Sequence, residues 1–159
     1  MRKFKITFSL ILMATIFAIA FSAPHVSAQE PDKQCECCSG KLSGYHKIMK
    51  ELYKNRELPA NELIAKAALM RLGTPYVANT LERGDKEELY VNLDETDCIL
   101  FVESCLALVQ TAKSNDTTYT NFCNNVRNLR YRNGVVDGYP SRIHYTSEWL
   151  LQAEKNGFV

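Results

Sequence analysis

From Tyr45 onward the apolar residues of this chain recur three and four positions apart, the period that lines one face of an α-helix. In "YHKIMKELYKN" the residues Ile48, Met49, Leu52 and Tyr53 make such a stripe and leave His46 as an exposed or half-buried bystander. In "LPANELIAKAALMRLG" a second stripe runs through Leu63, Ala67 and Met70, with Ile64 and Ala68 beside it and Gly73 placed as a C-terminal cap. "TTYTNFCNNVRNLRYR" repeats the pattern with Tyr119, Phe122, Cys123, Val126 and Leu129, which puts Cys123 on an inward face. "TSEWLLQAEKNG" reads as a last helix, capped by Thr146 or Ser147 and closed by Gly157. Between the second and third patterns lie a turn, "GTPYVANTLERGDKEE", and a short extended piece, "LYVNL".

One stretch departs from this periodicity. "NLDETDCILFVESCLALVQ" is apolar nearly all round from Cys98 to Ala112, with Glu103, Ser104, Gln110 and Thr111 as its main polar interruptions. A helix of that kind is predicted to lie buried in the middle of a domain. Asp97 or Thr96 is its natural N-cap, so Cys98 falls in the first turn. There the unpaired backbone N–H groups and the positive end of the helix dipole favour a nucleophilic thiol. Cys105, two turns on, reads as a buried small hydrophobe, and a Cys105–Cys123 disulfide between packed helices stays open.

Composition then places the chain. Residues 1–28 combine a basic start (Arg2, Lys3, Lys5), an apolar run from Ile6 to Phe21 and a small-residue ending at Ala28. That is the layout of a removable signal peptide, and the run is shorter than the ~20 residues a membrane span needs. The expected product is exported, periplasmic or extracellular, with no stable membrane insertion once the signal is removed. The formal net charge of +1 includes the three basic residues of the signal, so the exported part is mildly acidic and excludes nucleic acid as a partner. Of six cysteines, Cys35, Cys37 and Cys38 cluster in "QCECCSG" within a flexible leader, residues 29–44. No paired motif with histidine completes a zinc set, so no metal and no cofactor is expected, and a local or intermolecular disulfide is the preferred reading. Residues 45–159 suit one domain with a single core.

Four segments taken in order, "RLGTPYVANTLE", "VNLDETDCILFVESCLAL", "LRYRNGVVDGYPSRIHYTSEWL" and "NGFV", resemble the N-acetylmuramoyl-L-alanine amidase-like family of NlpC-type, papain-like bacterial cysteine hydrolases. The resemblance runs from about Leu58 to Val159, and the block "DGYPSRIHYTSEW" is its most particular part. It implies an α+β, papain-like fold whose part present here is mainly helical, in four or five helices and one or two short strands, with the C-terminal sheet largely missing. It implies peptidoglycan or muropeptides as substrate, Cys98 as the nucleophile that forms a thioester, and Asp97 facing the stem peptide. It also implies Tyr76 near the nucleophile and Arg142, His144 and Tyr145 on the cleft wall. From the residues alone Asp97 is a cap, Tyr76 follows a turn proline, and Arg142 pairs with Asp137 or Glu148 at the surface.

In that family the catalytic histidine comes later, on a strand reading like "SHVG", followed by a motif like "HAS", and neither string occurs here. The sequence therefore reads as a truncated form that does not cleave peptidoglycan alone, with His144 as the one candidate base in the right order. The alternatives are a non-catalytic muropeptide- or partner-binding remnant and a thiol or metal protein working through "CECC".

Overall fold

The computed structural model describes Leu42 and residues 44–159; the signal and almost all of the leader, with its three clustered cysteines, lie outside the described residues. Five α-helices follow in order: α1 Tyr45–Lys54, α2 Ala60–Met70, α3 Cys98–Lys113, α4 Tyr119–Arg130 and α5 Thr146–Lys155. Short 3₁₀ turns occupy Thr80–Glu82, Arg132–Gly134 and Tyr139–Ser141. None of the described helices is long and apolar enough to cross a membrane.

α3 is the hub, packed by α1, α2 and α4, while α5 rests on α4. The inward stripes meet there: Leu52, Leu63, Leu108, Phe122 and Leu129 are fully buried, each contributing about 1.5–3 kcal/mol of transfer energy. An aromatic cluster ties the first helix to the fourth. The Tyr45 ring stacks on Phe122 at 5.3 Å and meets Tyr119 edge-on at 5.1 Å, and its hydroxyl donates to the Thr117 carbonyl at 2.8 Å. Thr118 caps α4 through the Asn121 N–H.

The structure corrects the sequence-based expectations in particular places. Tyr53 leaves the α1 stripe, 41% exposed, because its ring lies under the Arg56 guanidinium at 4.3 Å. α3 is not buried on every side. Its polar interruptions Glu103, Ser104 and Thr111 point inward, whereas Ile99 and Val102 are about half exposed, at 54% and 47%. The inversion has a physical cause: each inward polar group finds a partner. Glu103 accepts from Arg130 at 2.9 Å with both side chains under 5% exposed, Ser104 accepts from Arg71, and Thr111 accepts from Asn125 at 2.9 Å. α5 starts with neither Thr146 nor Ser147 as cap; Tyr145 holds that position without a side-chain bond.

The "LYVNL" piece is extended, and its alternation is real: Leu89, Val91 and Leu93 are buried while Tyr90 and Asn92 are half-buried. Among the described residues it pairs with no strand. Its backbone is held by a side chain, Arg130 Nη1 donating to the Tyr90 carbonyl at 2.5 Å. Among the described residues, β-structure amounts to two isolated bridges, Tyr76 with Thr96 and Tyr131 with Arg142.

Candidate active site

Cys98 is the first residue of α3 and is exposed, while Cys105 and Cys123 are buried; all three are free thiols, so no Cys105–Cys123 disulfide forms. Asp97 caps the helix, its Oδ1 accepting from the Leu100 N–H at 2.8 Å. Burial pushes the Cys105 thiol up, with the nearby Arg71 guanidinium opposing. The three body cysteines thus differ in access before any chemistry is considered.

Two segments fix the approach to Cys98. The Thr96 N–H donates to the Pro75 carbonyl at 3.0 Å and its carbonyl accepts from the Val77 N–H at 2.9 Å, which sets the Tyr76 backbone against the residues leading into α3. The Tyr76 ring itself is 69% exposed. On the other side, Glu95 accepts from Arg83 at 2.6 Å and from the Tyr90 hydroxyl at 2.9 Å. Those bonds hold its carboxyl below the usual range, and burial together with Glu95 raises the Tyr90 hydroxyl.

The residues flanking the thiol, Asp97 and Ile99, line a cavity of about 480 Å³ together with Val102 of the same helix. Its opposite walls are Asn79 to Glu82, Arg142 to Thr146, and Trp149. Cys98, Asp97, Arg142, His144 and Tyr145 are therefore brought to one region by two separate segments, with Tyr76 bridged to the loop leading into it. His144 is exposed; its ring packs on Tyr139 at 4.4 Å between centroids, and its Nε2 lies 3.3 Å from the Tyr139 carbonyl. Tyr145 is 73% exposed.

Arg142 differs most from expectation. It pairs with neither Asp137 nor Glu148: Glu148 belongs to Arg132, at 2.7 Å. Arg142 is buried and grips Glu87 with two nitrogens, at 2.6 and 3.1 Å, and Glu82 with a third, at 2.7 Å. Burial opposes its charge, but the two glutamates outweigh burial and hold its affinity for the proton above the ordinary value. Glu87 responds in kind: burial pushes its carboxyl up, yet the bonds from Arg142 and from the Tyr131 hydroxyl bring the balance below the usual range. Sequence reasoning missed Glu82, Thr80 and Trp149 as parts of this wall and Glu87 as the partner that braces Arg142. Glu87 lies 55 residues from Arg142 along the chain, and no local pattern announces such a partner. Among the described residues no cluster of three His, Cys, Asp or Glu side chains could hold a metal ion.

The family described as N-acetylmuramoyl-L-alanine amidase-like matches residues 66–159, more than half of the chain. The chain belongs to this amidase-like family. Solved structures agree. Two crystal structures of an N-acetylmuramoyl-L-alanine amidase from Bacteroides uniformis are 37% and 38% identical, each with a TM-score of 0.57. They cover 61% and 62% of this chain and 40% and 41% of their own. A Bacteroides fragilis protein, provisionally described as a xylanase, is 42% identical with a TM-score of 0.52 over 57% of this chain and 39% of its own. The amidase-like chain thus spans about two-fifths of the length of these neighbours. No curated protein matches it. Cys98, Arg142 and His144 all lie inside the span that matches the family.

Proposed function

We propose that this chain carries the nucleophile of an exported, papain-like cysteine amidase of α+β class that cuts an amide bond in peptidoglycan. The observation that supports this reading is Cys98 itself: an exposed thiol on the first residue of the central helix, flanked by two residues that line a cavity. Family membership supports peptidoglycan as substrate, and the neighbours named N-acetylmuramoyl-L-alanine amidase favour the bond between the lactyl acyl group and L-alanine. Export rests on the layout of residues 1–28.

In this reading the Cys98 sulfur attacks the amide carbonyl, the amine departs with a proton, and water cleaves the resulting thioester to restore the thiol. Asp97 orients the helix start, since one carboxylate oxygen is committed to the Leu100 N–H. Tyr76 and Tyr145 offer exposed rings to the substrate. The proton carrier is assigned to His144, the histidine on the cavity wall. A second reading, a non-catalytic muropeptide binder, is favoured by one detail: Nε2 of His144 already faces a backbone carbonyl.

The test is hydrolysis of purified muropeptides, followed as newly exposed L-alanine amine. Against the sequence-based expectation that this chain does not cleave alone, assigning the proton carrier to His144 predicts release by the wild-type chain, none by Cys98→Ala and a loss of roughly 10²–10⁴-fold in His144→Ala, the worth of general acid–base help. Muropeptide binding without any release by the wild-type chain rejects the amidase in favour of the binder.

A further inference from the structure

Arg142 divides its three nitrogens between two unlike carboxylates, with Nη2 also donating to the Leu81 carbonyl at 3.3 Å. Glu87, on Nε and Nη2, is 5% exposed, whereas Glu82, on Nη1, is 53% exposed. A carboxylate so exposed is weakly held, because water and salt screen the pair. Arg142 and Glu82 both line the cavity beside Cys98. Two further groups there lack partners: Thr80 Oγ1 and Trp149 Nε1 are buried without a hydrogen bond, and both residues line the same cavity. Thr80 is only 2% exposed, and an unsatisfied buried donor carries a desolvation cost that a ligand acceptor removes as the wall relaxes.

We propose that Arg142 is a carboxylate clamp whose outer position Glu82 fills in the free protein, and that the cavity beside Cys98 takes a peptide whose own carboxylate displaces Glu82. The buried Glu87 keeps the guanidinium oriented throughout, so the exchange at Nη1 swaps one carboxylate for another and leaves the rest of the wall in place. Ile99, Val102 and Trp149 then meet the apolar part of the ligand. Arg142 also lines a second cavity, of about 530 Å³, but there Glu82, Asp85, Glu87 and Asp137 outnumber Arg142 and Lys86 and disfavour an anion. The inference rests on the amidase reading for its substrate class, an acidic peptide, and not for its geometry.

The test is a binding titration of the full chain carrying Cys98→Ala, so hydrolysis plays no part in the readout. The probe is N-acetyl-L-alanyl-D-glutamate at low ionic strength, with its diamide as control, followed by fluorescence of Trp149, the single tryptophan of the chain. The dicarboxylate is expected to bind about tenfold more tightly than the diamide, as charge-assisted bonds are the stronger kind. Glu82→Gln removes the competing carboxylate and is expected to tighten the dicarboxylate about threefold without changing the diamide. Arg142→Lys, which cannot reproduce the forked grip, is expected to erase the preference. Should Arg142→Lys fail to fold, the Glu82→Gln comparison decides alone. Equal affinity for the two probes, or a Glu82→Gln variant that binds the dicarboxylate no better, overturns the clamp. No muropeptide hydrolysis by the wild-type chain in the separate assay, with the preference intact in the Cys98→Ala titration, counts against the amidase and spares the clamp; hydrolysis by the wild type without that preference does the reverse.

Discussion

The two ends of α3 live in different surroundings. From Cys105 to Val109 every residue is buried, with Ala107 and Leu108 at 0% exposure; at the start of the helix Cys98, Ile99 and Val102 are open and two of them line a cavity. The inner end is held by packing and by the buried Glu103–Arg130 pair. The outer end is held by polar contacts that stand partly in water: the Asp97 cap, the Pro75–Val77 bridge to Thr96, and the Arg142 wall. The difference shows where the helix leaves a thiol accessible. The nucleophile role proposed for Cys98 requires access, and the helix supplies it only where its burial stops.

The strongest way to break this contrast is at the inner end. Glu103→Ala leaves the Arg130 guanidinium, itself 4% exposed, buried without its carboxylate. Removing one partner of such a pair costs on the order of 3–5 kcal/mol. Urea unfolding is expected to show a midpoint lowered to match, while replacing Glu148, whose pair with Arg132 stands partly in water, is expected to leave the midpoint nearly unchanged. Similar losses at both positions would mean that the buried pair at the inner end holds the fold no more tightly than a solvent-screened one.

Between the two ends stands Glu87, and here acid separates them. Its folded carboxyl lies below the usual range because the Arg142 and Tyr131 bonds outweigh burial. A depressed carboxyl contributes stability that is present above its unfolded value, about 4.3, and is lost as pH falls through the folded value. Wild-type urea midpoints are therefore expected to fall below about pH 4.3, and Glu87→Gln is expected to be less stable at neutral pH with a shallower acid limb. Parallel acid limbs for the two proteins would show that Glu87 is not the linked group.

How much of this was legible in the sequence follows the same division. The inward stripes of α1, α2 and α4 could be read because helical packing repeats every three or four residues, and Leu52, Leu63, Phe122 and Leu129 lie where that period puts them. The Asp97 cap and the first-turn place of Cys98 were legible too, since both depend on neighbours within one turn. The polar interior of α3 was not. Glu103 and Ser104 read as interruptions because their partners, Arg130 and Arg71, stand 27 and 33 residues away. The local reading of Arg142 as a surface pair failed for the same reason, since spacing offered Asp137 and Glu148 while the fold delivers Glu87 and Glu82; its place on the cleft wall came from the family resemblance. The extended "LYVNL" piece showed its alternation, but nothing in it tells that a side chain, not a strand, would hold its edge.

The smallest expected effect sharpens the outer end of the comparison. Asp97 sits between two roles, since it caps α3 through the Leu100 N–H and lines the cavity beside Cys98. Capping alone predicts that Asp97→Ala costs ~1 kcal/mol, because one N–H of the first turn returns to water, and that Asp97→Asn, whose side-chain oxygen can still accept that bond, costs a few tenths. The Asn variant keeps the cap and removes the charge, so stability and substrate handling come apart. If Asp97 only caps, Asn is expected to match the wild type in affinity for a muropeptide whose amino group is free, and Ala to fall only as far as its stability does. A loss of affinity in the well-folded Asn variant would place the carboxylate itself against the substrate. Chemical denaturation and the same muropeptide titration, run side by side on the three proteins, separate these outcomes.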